Sequence, residues 1–542
     1  MTLPRVRRAS SDTSAASSAD TAAGLRTRVR QTIPRRRITE HLAVLLLGSL
    51  VLVVHDVGYL LRQPFWNDES WVAVTTRFPL SQLPATTIST PIGWSVLERL
   101  LTVRGEQTAR LLPLAFAGAA VVAAYWLGRG LGWRRQQVAV IAGVLAGIAV
   151  LLAPAMLVRD DLKQYTADAC LAVTVLALTS RLERAWSWPG LAALSAVAGG
   201  GMLLSDASGF AGAAAFVALC LIQLARRSWR RLAEAAVAAA ATAILIIGVY
   251  KAFDARAVGP AFTAYWSGAF LPVSNGLHAD MTFVTLRFSA VGTGFGLGPA
   301  WLALPVALAG LVTIFRLGRP ATALTVALLW PVMLTLAAAR RYPFLDLRTS
   351  TFLFAITSAV AAIGVAGACS LLPRRLGGML PLLLALAAAA FVIPAWPYVR
   401  SHLIPHEDVR YQARYVAAHA VHGDVILVNL NSSWGFAYYW PAGAPARRAD
   451  AVVLQGYEPY FPAEPDIVMA RNRNSAGVDA ALAQALTLAR QHACGRIWLV
   501  RTHVNPAEQK AWQVALRQRK LTTTPVGQAG LSVVNADGTR CP

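Results

Sequence analysis

Apolar runs long enough to cross a membrane recur through the first three quarters of this 542-residue chain, and that recurrence limits its fold more than any other feature. A run of about 18 apolar residues spans a bilayer core of roughly 30 Å. In lipid such a run has to be a helix, because only a helix satisfies its own backbone hydrogen bonds. Length by itself would allow about three or four soluble domains. The composition, 56% apolar and 14% charged, excludes that.

Eleven spans are expected, near residues 41–61, 108–130, 137–158, 163–181, 190–205, 208–225, 232–252, 297–315, 321–339, 351–371 and 377–398. Residues 1–39, rich in Arg, Ser, Ala and Thr, have no apolar period and read as a disordered, basic cytoplasmic tail. The run that follows has no small-residue cleavage site, so it reads as a first span rather than a signal peptide. Basic residues gather after spans two, four, six, eight and ten: Arg129, Arg134, Arg135, Arg181, Arg184, Arg226, Arg227, Arg230, Arg231, Arg316, Arg319, Arg374 and Arg375. They share one side with the tail, and the positive-inside rule makes that side cytoplasmic. The C-terminus then lies outside.

This placement accounts for the net charge of +23 without nucleic acid as a partner. Arg supplies 46 of the 50 basic residues, a bias that reads as the mark of a GC-rich genome such as an actinobacterium's. Cys170, Cys220 and Cys369 fall in apolar helices and read as small buried hydrophobes. Cys494 and Cys541 fall in the tail domain, where export would permit a disulfide between them.

Two outside loops are long, residues 62–107 and 253–296, and long loops in compact proteins carry function. The stretch Trp94–Leu101 is amphipathic and suits a membrane surface. Residues 399–542 have soluble composition. Helices are expected over 408–422, 478–492 and 506–519, and strands over 424–429, 449–454, 496–500 and 530–534. The alternation argues for a small α/β domain. The whole is a polytopic α-helical membrane protein with membrane part 40–398 and an extracytoplasmic α/β domain.

Charges collect where the spans leave lipid on the outer side. Asp68 and Glu69 stand in FWNDES. Asp160, Asp161, Lys163 and Asp168 stand in RDDLKQYTAD. Asp206 separates spans five and six, and Arg340, Arg341, Asp346 and Arg348 stand in RRYPFLDLRTS. Any one of these could simply mark a helix end with its side chain reaching to water. Together, positive charges on the outer face run against the topology rule, and Asp168 should lie more than a turn inside span four. If the groups converge, a carboxylate can take a proton from an attacking hydroxyl. Arg and Lys can hold a phosphate and stabilise it as it leaves. That combination suits sugar transfer from a lipid phosphate.

At these residues the chain resembles the GT-C superfamily of polytopic glycosyltransferases, in particular bacterial relatives of the protein O-mannosyltransferases and of the lipid A aminoarabinose transferase. The resemblance covers roughly residues 40–440. It rests on the acidic pair Asp68-Glu69, TPIGWSVLERL at 90–100, ARLLPLAFAGAAVVAAYWLGRGLG at 109–132 and LKQYTADACLAVTVLAL at 162–178. RYPFLDLRTSTFLF at 341–354 and GDVILVNLNSSWGFAYYW at 423–440 complete it. It implies Asp68 as base, with Glu69 assisting or orienting it. Lys163, Tyr165, Arg341 and Arg348 would lie near the donor phosphate, with Asp160, Asp161 and Asp168 as supporting charges. Where many relatives carry His-Pro-Pro this chain has Thr90-Pro91. Some relatives bind a divalent metal; here no His cluster accompanies the carboxylates, so a metal stays unassigned.

His402, His406, His419 and His422 read as surface or structural residues. Trp434, Tyr438, Tyr439 and Trp440 either stack on a sugar or form the tail domain's core or its footing on the membrane. Gly199, Gly200 and Gly201 suit close helix packing. The expected activity is inverting transfer of a sugar, mannose or arabinofuranose, from a polyprenyl-phosphate donor to an envelope glycan, glycolipid or exported protein. A transporter or flippase of lipid-linked sugars would instead show repeated halves and broken mid-membrane helices. A catalytically silent assembly partner would not need the acidic pair.

Overall fold

The computed structural model describes residues 38–536, except 39, 88–89, 103–104, 158–160, 256–258, 292–293, 297–299, 372–379, 400–407, 444, 449–455, 493–494 and 529. Asp160, Cys494, Cys541, His402, His406 and the strand expected over 449–454 therefore lie outside the described residues.

The chain is a multi-pass membrane protein. Five of its helices are long and apolar enough to cross a bilayer, and five shorter apolar helices accompany them. In chain order the principal helices are α1 (Glu40–Val54), α2 (Asn67–Thr75), α3 (Ile92–Thr102), α4 (Leu111–Gly130), α5 (Gln136–Leu151), α6 (Tyr165–Arg184), α7 (Trp188–Gly199), α8 (Asp206–Ala225), α9 (Trp229–Val249), α10 (Leu277–Val291), α11 (Ala300–Arg316), α12 (Pro320–Ala338), α13 (Thr351–Ser370) and α14 (Leu380–Val399).

Some expected spans are interrupted. The first breaks at Asp56, whose left-handed backbone (φ 42°) lets its carboxylate cap a short helix at Val57–Leu60. The third stops at Leu151, before Pro154 opens a separate turn. The 253–296 loop contains the 15-residue helix α10, missed because its polar residues interrupt the apolar run.

Close approach of small residues holds the membrane part together. A Cβ on Gly310 of α11 would collide with the Val360 carbonyl oxygen of α13, and one on Gly364 would lie 2.7 Å from the Gly310 nitrogen. Only glycine permits that contact, the usual way membrane helices gain packing without a hydrophobic drive between them. At the other end of α6, Glu183 caps α12: its carboxylate accepts from Ala321 N at 2.7 Å and Thr322 N at 2.9 Å. These N–H groups have no partner within their own helix, and the helix N-terminus favours the negative charge.

The C-terminal region is a five-stranded sheet in the order β4-β1-β5-β7-β6, with β1 at Val425–Val428, β4 at Ile467–Met469, β5 at Ile497–Val500, β6 at Leu521–Pro525 and β7 at Leu531–Ala536. β1 pairs in parallel with β4 and β5, and β7 runs antiparallel to β5 and β6. A small antiparallel pair, β2 (Ala446–Arg448) and β3 (Glu458–Tyr460), stands apart. Three helices complete the region's inventory near the site, α15 (Val409–His419), α16 (Ser433–Tyr439) and α17 (Ser475–Gln491), followed by α18 (Pro506–Gln518). Strand residues alternate between two faces. Val425, Leu427, Ile497 and Leu499 pack with Leu482 and Trp512 of α17 and α18.

Ile426, Val428, Trp498 and Val500 face the other way, into a cluster that includes Val409, Trp434 and Phe436. The same cluster takes in Phe65, Trp71, Val72 and Phe78 from the first long loop. The sheet region and the loop around α2 thus share one core.

Candidate active site

Asp68 sits in the first turn of α2. The helix is anchored by its own sequence: Trp71, Val72 and Val74 are buried in the shared core. Glu69, next to Asp68, closes the N-terminus by accepting from Trp66 N at 3.3 Å. The other side of Glu69 meets Arg110, with Nε to Oε1 at 2.9 Å and a second bond from Nη2 to Oε2. Both side chains are fully buried. Arg110 also donates to the carbonyls of Leu60 and Gln63 at 2.6 Å, which fixes the chain just ahead of α2. Glu69 does not line the cavity described below, so its place is behind Asp68, in support of the helix.

Asp68 faces the opposite way. Its Oδ2 lies 3.4 Å from Lys163 Nζ and 3.0 Å from Arg348 Nη1. Burial pushes its carboxyl up, but Lys163 and Arg348 outweigh that and hold it below the usual carboxylate range, with His503 adding to the effect.

Lys163 is positioned from two directions. The buried Trp94 of α3 donates from Nε1 to the Leu162 carbonyl at 2.8 Å, and Asp161 accepts from Lys163 N at 3.2 Å. The ammonium then lies 4.5 Å from the centre of the Trp71 ring, a cation–π contact one turn beyond Asp68. Arg348 is held by Asp346, which accepts from its backbone nitrogen at 2.9 Å. Its Nη2 donates to the Tyr265 hydroxyl at 2.7 Å, and its guanidinium lies 5.6 Å from the centre of the Trp266 ring.

These groups form part of the wall of a cavity of about 1160 Å³. Phe210, Ile246, Leu336 and Met202 give it apolar surface. Asp68, Lys163, Tyr165, Arg341 and Arg348 give it charge and hydroxyl, and Asp206 and Asp254 add carboxylates. Residues of the C-terminal region complete it: Asn431, Trp434, Arg471, Asn472, Arg473 and His503.

Of the residues singled out in the sequence, Asp68, Lys163, Tyr165, Arg341 and Arg348 come together on this cavity. Asp161 and Asp168 are buried and do not line it. Asp168 lies in the first turn of α6 and not more than a turn inside it, because the helix begins only at Tyr165. Trp434 lines the cavity. Tyr439 accepts from Phe65 N at 2.7 Å, and Trp440 stacks on Phe436. These three therefore belong to the shared core, with Trp434 at its open edge. His419 stacks on Tyr415 and bonds its carbonyl through Nδ1.

Sequence reasoning missed Tyr265, Trp266, Arg471, Arg473 and His503. The two aromatics had a signal in their long loop. The last three had none, since only the sheet region's docking brings them near Asp68. His503 reaches the cavity on a left-handed backbone (φ 51°). Among the described residues no three His, Cys, Asp or Glu side chains converge to hold a metal. Asp68 has both its near partners in cations, so the residues present do not fit a divalent ion at this carboxylate.

No family model matches the chain, and no curated protein does. Among solved structures, ArnT from Cupriavidus metallidurans bound to undecaprenyl phosphate matches with a TM-score of 0.51 and 15% identity, over 91% of this chain and 97% of its own. The apo state of the same ArnT matches with a TM-score of 0.51 and 14% identity, over 92% and 98%. The archaeal oligosaccharyltransferase AglB from Archaeoglobus fulgidus, in complex with an inhibitory peptide and a dolichol-phosphate, matches with a TM-score of 0.48 and 12% identity, over 93% and 75%. The ArnT match, over nearly the whole of both chains, shows that this chain shares the fold of that structure.

Proposed function

We propose that this protein is an inverting glycosyltransferase that uses a polyprenyl-phosphate sugar, mannose or arabinofuranose, as donor. The acceptor is a hydroxyl of an envelope glycan, glycolipid or exported protein. The observation that carries this reading is the Asp68 carboxylate held between Lys163 and Arg348 on a cavity with an apolar wall. The structurally similar ArnT was solved with undecaprenyl phosphate, which fits a cavity of this character.

The donor's chain would lie against Phe210, Ile246 and Leu336, and its phosphate against Lys163, Arg348 and Arg341, which has no ion pair among the described residues, with Tyr165 beside them. As the phosphate draws the two cations from Asp68, burial acts on the carboxylate with less opposition and makes it a stronger base. Asp68 takes the proton of the acceptor hydroxyl. The oxygen attacks the anomeric carbon, and the carbon–oxygen bond to the phosphate breaks with its electron pair going to the phosphate. The cations stabilise that leaving group. Glu69, through Arg110, positions α2 for this step.

The topology belongs to the same proposal: a cytoplasmic basic tail over 1–39, eleven spans within 40–398, and residues 399–542 outside with the cavity mouth. The test is transfer of radiolabelled sugar from polyprenyl-phosphate mannose and polyprenyl-phosphate arabinose by membranes bearing wild type or Asp68→Asn. Transfer of either label by wild type and its loss in the variant supports the reading and names the donor. No transfer of either label by folded wild type rejects it.

A further inference from the structure

A second concavity, of about 730 Å³, lies between the first long loop and the β2 strand and shares no lining residue with the cavity around Asp68. It is lined by Arg77, Phe78, Pro79, Gln82, Arg99 and, from the C-terminal region, Pro445 to Arg447. Three arginines meet there and no carboxylate lines it. Among the described residues none of the three forms an ion pair.

Arg77 and Arg99 are fixed in place by backbone. Arg77 Nη1 donates to the Ala437 and Tyr438 carbonyls at 2.7 and 2.8 Å. Arg99 Nη1 donates to the Thr76 carbonyl at 2.9 Å and to that of Phe78. Carbonyl oxygens orient a guanidinium without cancelling its charge. Each of these two arginines therefore arrives pre-positioned and uncompensated, and Arg447, whose side chain makes no hydrogen bond among the described residues, joins them in the lining. Guanidinium forks match the oxygens of a phosphodiester.

The surroundings say where that phosphodiester resides. The elements that carry these arginines also expose apolar side chains. Leu80, three residues after Arg77, is 61% exposed, and Leu100, next to Arg99, is 65% exposed. Val96, one turn back on α3, is exposed as well, while Trp94, Ser95 and Glu98 on the other side of that helix are buried. The chain passes from Thr102 into the long apolar helix α4 at Leu111, whose side chain is also exposed. Apolar side chains beside paired cations, a few residues from a span, are the pattern of a surface that rests in the lipid interface.

We propose that this concavity is a binding site for the phosphate of an anionic phospholipid head group, separate from the cavity around Asp68. Leu80, Val96 and Leu100 enter the acyl boundary, and Arg77, Arg99 and Arg447 close on the phosphate. The lipid then bridges the first loop and the C-terminal region. This inference is independent of the transferase reading, because neither the site nor its test involves sugar transfer.

The test uses the full chain in detergent, titrated with phosphatidylglycerol, phosphatidylcholine or inorganic phosphate, with bound lipid counted by native mass spectrometry and thermal unfolding followed in parallel. Wild type is expected to bind phosphatidylglycerol and unfold at a higher temperature with it, and to respond to neither of the other two. Arg447→Gln, which breaks no bond in the fold, is expected to bind phosphatidylglycerol about tenfold more weakly, as loss of one charge-assisted contact implies. Arg490→Gln, on an exposed face of α17, should behave as wild type. Equal phosphatidylglycerol binding by Arg447→Gln and wild type overturns the proposal, as does equal binding of phosphatidylcholine. A full response to inorganic phosphate alone overturns the lipid assignment.

Discussion

Arg110 Nε lies 2.9 Å from Glu69 Oε1 with both side chains fully buried, so the residue next to Asp68 is committed to the frame and not to the cavity. Removing one partner of such a pair leaves an uncompensated charge, at a cost of about 3–5 kcal/mol. Arg110→Met is expected to lower the unfolding temperature strongly and to abolish transfer with it. Adding Glu69→Leu should restore part of the stability, because the orphaned carboxylate is then gone. Thermal unfolding of the two variants in detergent decides this.

The depressed carboxyl of Asp68 predicts a pH response with a definite sign. In wild type the carboxylate persists below the usual carboxylate range, and what it contributes to stability is lost only as pH falls through that depressed value. Lys163→Met removes the largest of the opposing charges, leaving burial less opposed. The acid limb of kcat/KM is then expected to move to higher pH, as read from the pH profile of label transfer. An unmoved limb would separate Asp68 from the rate.

Arg348 bridges the Asp68 carboxylate and the Tyr265 hydroxyl with two different guanidinium nitrogens. A lysine cannot span both, so Arg348→Lys is not conservative here. The expected loss in kcat/KM is about tenfold or more, corresponding to one charge-assisted hydrogen bond, with unfolding temperature little changed. Donor titration against transfer rate tests it.

Glu98 of α3 is buried with neither oxygen hydrogen-bonded. Burial first, and Glu69 second, push its carboxyl well above the usual range. The folded protein therefore holds a proton there that the unfolded chain releases. Stability falls as pH rises from the ordinary carboxylate value toward the raised one. Glu98→Gln imitates the protonated form and is expected to flatten that dependence and to be at least as stable as wild type near neutral pH. Unfolding temperature followed from the ordinary carboxylate range upward tests this.

The shared core predicts that the sheet region is not removable. Trp71 and Val72 of α2 pack into the same cluster as Trp434 and Trp498. A chain ending before Val409 would expose that apolar surface of the first loop and is expected to aggregate in detergent instead of eluting as a single species on gel filtration.

Much of this protein was legible in its residues in order. The apolar runs marked all five of the described helices that are long and apolar enough to cross a bilayer, because a long run in lipid has no fold but a helix. The strands at Val425–Val428 and Ile497–Val500 were equally local signals. Asp68, Lys163, Arg341 and Arg348 stood out because charge next to a span is costly unless something uses it, and the family resemblance added Tyr165. Tertiary structure decided what each of them does. Asp68 and Glu69 are neighbours of the same chemical type, yet one turns to the cavity and the other to Arg110. That difference comes from the direction in which successive side chains leave α2, and from which side of the helix the core of the C-terminal region covers. The strands at Ala446–Arg448, Glu458–Tyr460 and Ile467–Met469 are too short to carry a period. Arg471, Arg473 and His503 lie some 400 residues from Asp68 and reach its cavity only through that packing, which no local pattern encodes.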